Sequence, residues 1–180
     1  MYIVADNIFS PAGTTTRENF DTVVSGGSGV RIHADDSVDQ NEFVASLIES
    51  GRRGKPFPNA VDGFSRFENM LAVSIDDALQ AGNIDPASEN TLLIISSTKG
   101  NISMLETGGD QMSKANAISL VSSAEKIADH FHFVNKPLVI SNACISGLLG
   151  IITAKRLIEG GSYETIVVAG ADDITSFIYS

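Results

Sequence analysis

The stretch Pro137–Gly161, PLVISNACISGLLGIITAKRLIEGG, constrains this chain more than any other. It opens with a short apolar run, Leu138-Val139-Ile140, and turns through Ser141-Asn142-Ala143. The chain's single cysteine, Cys144, stands at the corner, and Ile145-Ser146-Gly147 leads on into a helical pattern that carries no charge before Lys155. A strand that turns abruptly into a buried helix, with a nucleophile-type residue at the bend, is the geometry by which α/β enzymes expose a reactive atom. The start of the helix brings partial positive charge and free backbone N–H groups to that corner. Both favour a thiolate over a thiol. The competing reading is that Cys144 is a small core hydrophobe. A core cysteine has no need of a Ser-Gly pair two residues on, whereas Ser146-Gly147 removes bulk beside the thiol and admits another backbone or a substrate. The nucleophile reading is therefore preferred.

Around this corner, strand-like and helix-like segments alternate. Thr91–Ser97, TLLIISS, is an almost continuous apolar run, as a strand buried on both faces requires. Thr165–Ala169, TIVVA, is a second. Phe67, Met70, Leu71, Ser74, Ile75, Ala78 and Leu79 recur at helical spacing and predict a helix over about Ser65–Ala81, stopped by Gly82. A mixed but mostly apolar pattern predicts another over about Ala115–Phe131. Thr15-Thr16-Arg17-Glu18 reads as a capping box opening a helix that ends at Gly26-Gly27, with Phe20, Val23 and Val24 on one face. Tyr2–Ala5 is a brief β-like run, and Asn41–Ser50 has a weak helical pattern. Val30–Asp39 is ambiguous, and Met104–Lys114 reads as an irregular, mobile loop. Strands alternating with helices imply βαβ units and a parallel sheet, with the chemistry at the C-terminal ends of the strands. Three segments fall there: Thr98–Asn101, Asn142–Gly147 and Gly170–Asp173.

Bulk properties narrow the function classes. A hydrophobic fraction of 43% suffices for a sizeable core, and a charged fraction of 19% argues against disorder. A formal net charge of −10 gives no basis for binding nucleic acid. One cysteine cannot form an intramolecular disulfide, so nothing points to secretion. MYIVADNIFS lacks the basic and apolar regions of a signal peptide. The longest uncharged stretch, Pro137–Ala154, is too short and too interrupted to span a membrane. A cytoplasmic protein is the expectation.

Asn142-Ala143-Cys144-Ile145-Ser146-Gly147 resembles the active-site motif of the β-ketoacyl-acyl-carrier-protein synthases, the thiolase-fold condensing enzymes of fatty-acid and polyketide synthesis. Four further landmarks occur in the family's order. They are Phe9-Ser10-Pro11-Ala12-Gly13-Thr14, Ser25-Gly26-Gly27-Ser28-Gly29-Val30, Arg66-Phe67 at the start of a strong helix, and Ala169-Gly170 after the last strand. Gly170-Ala171-Asp172-Asp173 departs from the family's Gly-Gly-x-Glu, and Ser97-Thr98-Lys99-Gly100 from its glycine-rich turn. The resemblance implies an α/β, thiolase-like fold with a mostly parallel sheet covered by helices on both faces. It also implies that residues 1–180 form the N-terminal half of a two-half enzyme, an incomplete thiolase-like unit.

The same resemblance implies the chemistry. The Cys144 thiolate takes an acyl group from a phosphopantetheine thioester of acyl carrier protein or coenzyme A. Decarboxylation of malonyl-carrier protein then supplies the carbanion for a Claisen condensation. The family's histidines that drive that step lie in its second half. His33, His130 and His132 all precede Cys144 and do not correspond to them, so residues 1–180 alone are expected to have no condensing activity. No cofactor is implied, and the partners implied are acyl carrier protein and a second copy in a homodimer, with no nucleic acid and no membrane. Arg52, Arg53, Lys55 and Arg66 are the only basic cluster and are candidate docking contacts for the acidic carrier protein, a solvated loop being an equally good reading.

Three rival functions stand beside this one. A non-catalytic synthase-like partner subunit is disfavoured by the presence of Cys144. A thiolase-fold acyltransferase that uses acyl-CoA is disfavoured by Ser10-Pro11 and Arg66-Phe67. A cysteine hydrolase of another fold would need a histidine partner. His130 and His132 have no third ligand at a metal-binding spacing, and Asp172-Asp173 is read as structural.

Overall fold

The computed structural model describes residues 1–34, 42–48, 57, 60–105 and 111–175, with 111–114 as backbone. Three parallel strands form its centre. They are β3 (Thr91–Ser96), β4 (Leu138–Ile140) and β5 (Thr165–Gly170), in the order β4-β3-β5. Before them come α1 (Thr16–Val24), the short antiparallel pair β1 (Arg31–His33) and β2 (Phe43–Ala45), and α2 (Arg66–Gly82). A 3₁₀ turn (Ile102–Leu105), α3 (Gln111–Ile118) and α4 (Leu120–His130) connect β3 to β4, and α5 (Ser146–Glu159) connects β4 to β5. The expected α/β architecture, a parallel sheet with helices on both faces, is what forms.

The uninterrupted apolar run of β3 serves both faces. Leu92, Leu93, Ile94 and Ile95 are each at most 1% exposed. Because side chains alternate across a strand, Leu93 and Ile95 enter the core with Phe67, Leu71, Ile75 and Leu79 of α2 and Ala124, Ile127 and Ala128 of α4. Leu92 and Ile94 point to the other face, where Ala154 of α5 packs with Leu157, Ile166 and Val168 around it. Burying each such aliphatic side chain contributes about 1.5–3 kcal/mol.

Several elements differ from the sequence expectation. Asn41–Ser50 contains the strand β2 in place of a helix, since Phe43 and Ala45 point inward and Val44 outward, a period of two. The long helix expected over Ala115–Phe131 is two helices. Ser119 adopts an extended conformation, and its hydroxyl caps α4 by accepting from the Ser122 N–H, so the side chain competes with helix continuation. Within the expected loop Met104–Lys114, described residues form the end of the 3₁₀ turn and the start of α3. The α2 stop is Asn83 in the left-handed conformation (φ 48°), one residue after Gly82. At α1 the Thr15 hydroxyl accepts from the Glu18 N–H, and the Glu18 carboxylate turns mainly to the Thr14 N–H and hydroxyl, with the Thr15 backbone a lesser partner, so the return half of the capping box is weak. Tyr2–Ala5 forms no strand, and Tyr2, Ile3 and Val4 are exposed.

The candidate active-site corner

The register aligns the ends of the three strands. Ser96 of β3 lies opposite Ile140 of β4 and Gly170 of β5, so the three segments singled out by sequence leave the sheet at one level. Ser97 joins them, its N–H donating to Ile140 O at 3.3 Å and its hydroxyl to Ala171 O at 3.1 Å.

Cys144 sits where the sequence places it, between β4 and α5, and its thiol is free and exposed. Ala143 before it adopts a left-handed backbone (φ 44°), which bends the chain sharply. Ile145 caps α5 without offering a side-chain acceptor, so the backbone N–H groups of the first turn meet no side-chain cap. A Cβ built on Gly147 would meet nothing within 4 Å, which fits the expected lack of bulk beside the thiol. Gly150, one turn further, is the opposite case. Its Cβ would lie 2.5 Å from Ser96 Oγ and 2.9 Å from Val168 Cγ1, so its absence lets α5 lie close on the sheet.

Ser146 does more than remove bulk beside the thiol. It is buried, and its hydroxyl accepts from the Asn142 N–H and donates to the Ala143 carbonyl, both at 2.8 Å. The signal was present in the spacing, because a serine four residues after Asn142 at the start of a helix can reach back over the turn.

Of the basic cluster, Arg52, Arg53 and Lys55 lie outside the described residues. Arg66 is half-buried. Its Nε donates to Asp173 at 2.9 Å, its Nη2 to the Ile48 carbonyl, and its guanidinium lies over the Phe57 ring. The Asp173 pair ties the start of α2 to the segment that follows β5. Asp172 lies 3.7 Å from Lys99 in an exposed pair.

Two of the three histidines are engaged in packing, and His132 is exposed. His130 lies edge-on to Phe64 and Phe131, and His33 stacks on Phe43 with a ring nitrogen 3.1 Å from Ala45 O. Among the described residues no three His, Cys, Asp or Glu side chains are grouped as metal ligands. Among the same residues no helix is long and apolar enough to cross a membrane.

A second polar centre was not foreseen. Glu68, 4% exposed, receives Lys126 Nζ at 2.7 Å, the Ser65 N–H, the Asn101 amide and the Ser123 hydroxyl. Burial alone raises its pKa, but these donors outweigh burial and hold it below the usual carboxylate value. The cluster borders a cavity of about 340 Å³ lined also by Phe64, Met104 and Asn116. The signal that could have pointed to part of it is Ser65-x-x-Glu68, which forms a capping box at the start of α2.

No family model matches the chain, and no curated protein does. Solved structures do. A β-ketoacyl synthase from Burkholderia phymatum STM815 is similar over 98% of this chain and 48% of its own, with TM-score 0.71 and 16% identity. "The ishigamide ketosynthase/chain length factor" is similar over 93% of this chain and 51% of its own, with TM-score 0.67 and 18% identity. A type II polyketide ketosynthase, solved with its acyl-carrier protein and bound to the hexaketide, is similar over 98% and 52%, with TM-score 0.65 and 15% identity. The chain spans about half the length of these structures.

Proposed function

We propose, on the thiolase-like fold shared with these ketosynthases, that residues 1–180 are the nucleophile-bearing N-terminal half of a β-ketoacyl-acyl-carrier-protein synthase. The observation that carries this reading is the exposed Cys144 thiol at the turn from β4 into α5. In this reading the Cys144 thiolate attacks the carbonyl carbon of an acyl thioester. The new S–C bond forms as the phosphopantetheine thiolate leaves and takes up a proton. Backbone N–H groups at the start of α5 are the donors on hand for the oxyanion of the tetrahedral intermediate. Gly147 leaves room for the incoming thioester. Condensation with malonyl-carrier protein requires the family's histidines, which residues 1–180 do not supply.

Intact mass after incubation with acyl-CoA, acyl-carrier protein or cerulenin tests the reading. The expected result is one adduct on the wild type and none on Cys144→Ala. An adduct that survives the substitution, or none on the wild type, overturns it. Turnover of malonyl-carrier protein by the 180-residue chain would overturn the half-enzyme part. Carrier-protein docking through Arg52, Arg53 and Lys55 belongs to the same proposal, with Arg66 contributing least because its guanidinium already serves Asp173 and Ile48. Charge reversal at Arg52 and Arg53 is expected to weaken carrier binding, and unchanged binding removes the docking role. The homodimer is also part of the reading. The printed name of one similar structure includes a chain length factor, which keeps a non-catalytic partner subunit as the second reading. An unlabelled wild type would favour it.

A further inference from the structure

We infer that Ser146 is the positioning residue of the nucleophile, holding the Cys144 thiol in place by locking Ala143 in its left-handed turn. This deepens the acyl-transfer reading and rests on it for its catalytic meaning. Ala143 has a Cβ and a φ of 44°, a region that alanine avoids because Cβ crowds the following carbonyl. Something must hold it there. Two backbone hydrogen bonds lie across the turn. The Ile145 N–H donates to Asn142 O at 3.1 Å and the Ser146 N–H to Ala143 O at a weak 3.4 Å. Neither engages the Asn142 N–H.

The Ser146 hydroxyl does, accepting from that N–H at 2.8 Å while donating its own proton to the Ala143 carbonyl at 2.8 Å. One side chain therefore ties both residues that precede Cys144 to the first residue of α5. The oxygen is used once as acceptor and once as donor, and Ser146 is 6% exposed, so water competes little for either bond. A residue that was only small would do equally well as alanine. A residue that orients the thiol would not.

The test compares two reactions of Cys144. Acylation by an acyl-CoA needs the thiol oriented toward the N–H groups at the start of α5, whereas alkylation by iodoacetamide needs only exposure. Ser146→Ala is expected to slow acylation about 10- to 100-fold, the scale of a misplaced reacting group. Alkylation should stay within about threefold, the scale of a neutral surface change. Ser146→Thr keeps the hydroxyl and is expected to restore acylation. Ala143→Gly added to Ser146→Ala removes the conformational penalty and is expected to recover part of the loss. Equal loss in both reactions, or no rescue by either variant, overturns the role.

If the wild type is alkylated but never acylated, the acyl-transfer reading fails, and hydrogen exchange at the Asn142 amide decides the clamp alone. Ser146→Ala should speed that exchange and Ser146→Thr should not. An amide that remains equally protected in Ser146→Ala overturns the clamp.

Discussion

The two faces of the sheet are packed by opposite choices of side-chain size. Against Leu93 and Ile95, α2 presents a stripe of large residues, Phe67, Leu71, Ile75 and Leu79, all buried. Against Leu92 and Ile94, α5 presents small ones, Ser146, Gly150 and Ala154, and turns Leu148, Ile151 and Ile152 outward, where they are 60%, 48% and 36% exposed. Both helices are apolar, yet the part of α5 next to the corner meets the sheet through small residues, and a large one, Leu157, joins the core only in its last turn. Close approach explains the difference. A helix that must hold its N-terminus and the preceding corner tight against the strand ends cannot stand off there by the width of a leucine, so near the corner its contact residues are small and Leu148, Ile151 and Ile152 face away.

Truncation on each face tests this contrast most strongly. Phe67→Ala, at a site 1% exposed, is expected to cost about 3–5 kcal/mol. Ile151→Ala on the outer side of α5 should stay within about 0.5 kcal/mol. Urea denaturation of both variants checks the pair. A cost at Ile151 approaching that at Phe67 would break the comparison, because it would mean that the outer face of α5 is buried in solution, as by self-association of the exposed apolar patch.

This contrast also marks the limit of what the sequence could tell. The absence of a polar stripe on α5 predicts a central, buried helix, yet only Ser146, Gly150 and Ala154 of it are buried, because hydrophobicity without a polar side cannot orient a helix. Residue size at 146, 150 and 154 could have done so. The parallel strands were legible because β3 and β5 are nearly pure apolar runs, and Cys144 because a thiol at a strand–helix bend is an uncommon placement. Short-range polar competition was not legible: Ser119 breaking the α3–α4 segment, and Glu18 bonding Thr14 in preference to Thr15, turn on hydrogen-bond geometry that periodicity does not encode. Nor was the Glu68 centre, whose partners Asn101, Ser123 and Lys126 are brought together only by tertiary structure.

That centre makes the α2 face sensitive to pH. Glu68 has its folded-state pKa lowered, since burial alone raises it but the Lys126, Ser65, Asn101 and Ser123 donors lower it further. Its contribution to stability is therefore present above the unfolded carboxylate value of about 4.3 and is lost as pH falls through the lower folded value. Glu68→Gln is expected to cost about 1–3 kcal/mol at pH 7, toward the low end because Lys126 is 41% exposed and partly screened by water. The gap between wild type and variant should narrow as pH drops below the ordinary carboxylate range. Urea midpoints at neutral and acidic pH measure it. A gap that does not change with pH would assign Glu68 a packing role only.

The finest test of the contrast compares two glycines on one helix, three residues apart. At Gly150 a methyl group would collide with Ser96 Oγ and Val168 Cγ1, so Gly150→Ala should push α5 off the sheet at a cost of about 1–3 kcal/mol. At Gly147 a methyl group meets open space, so Gly147→Ala should be neutral or stabilise by up to about 1 kcal/mol through helix propensity. If Gly147 is kept free of a side chain only for the helix, acylation of Cys144 should be unchanged in that variant. If it is kept free for the incoming thioester, Gly147→Ala should melt no lower than wild type and yet acylate more slowly, while iodoacetamide, being smaller, should still react. Thermal melts with the two labelling rates distinguish these outcomes. Opposite signs in stability and acylation at Gly147, beside a plain loss of stability at Gly150, would show that α5 is cut back for access at its first turn and for packing one turn further on.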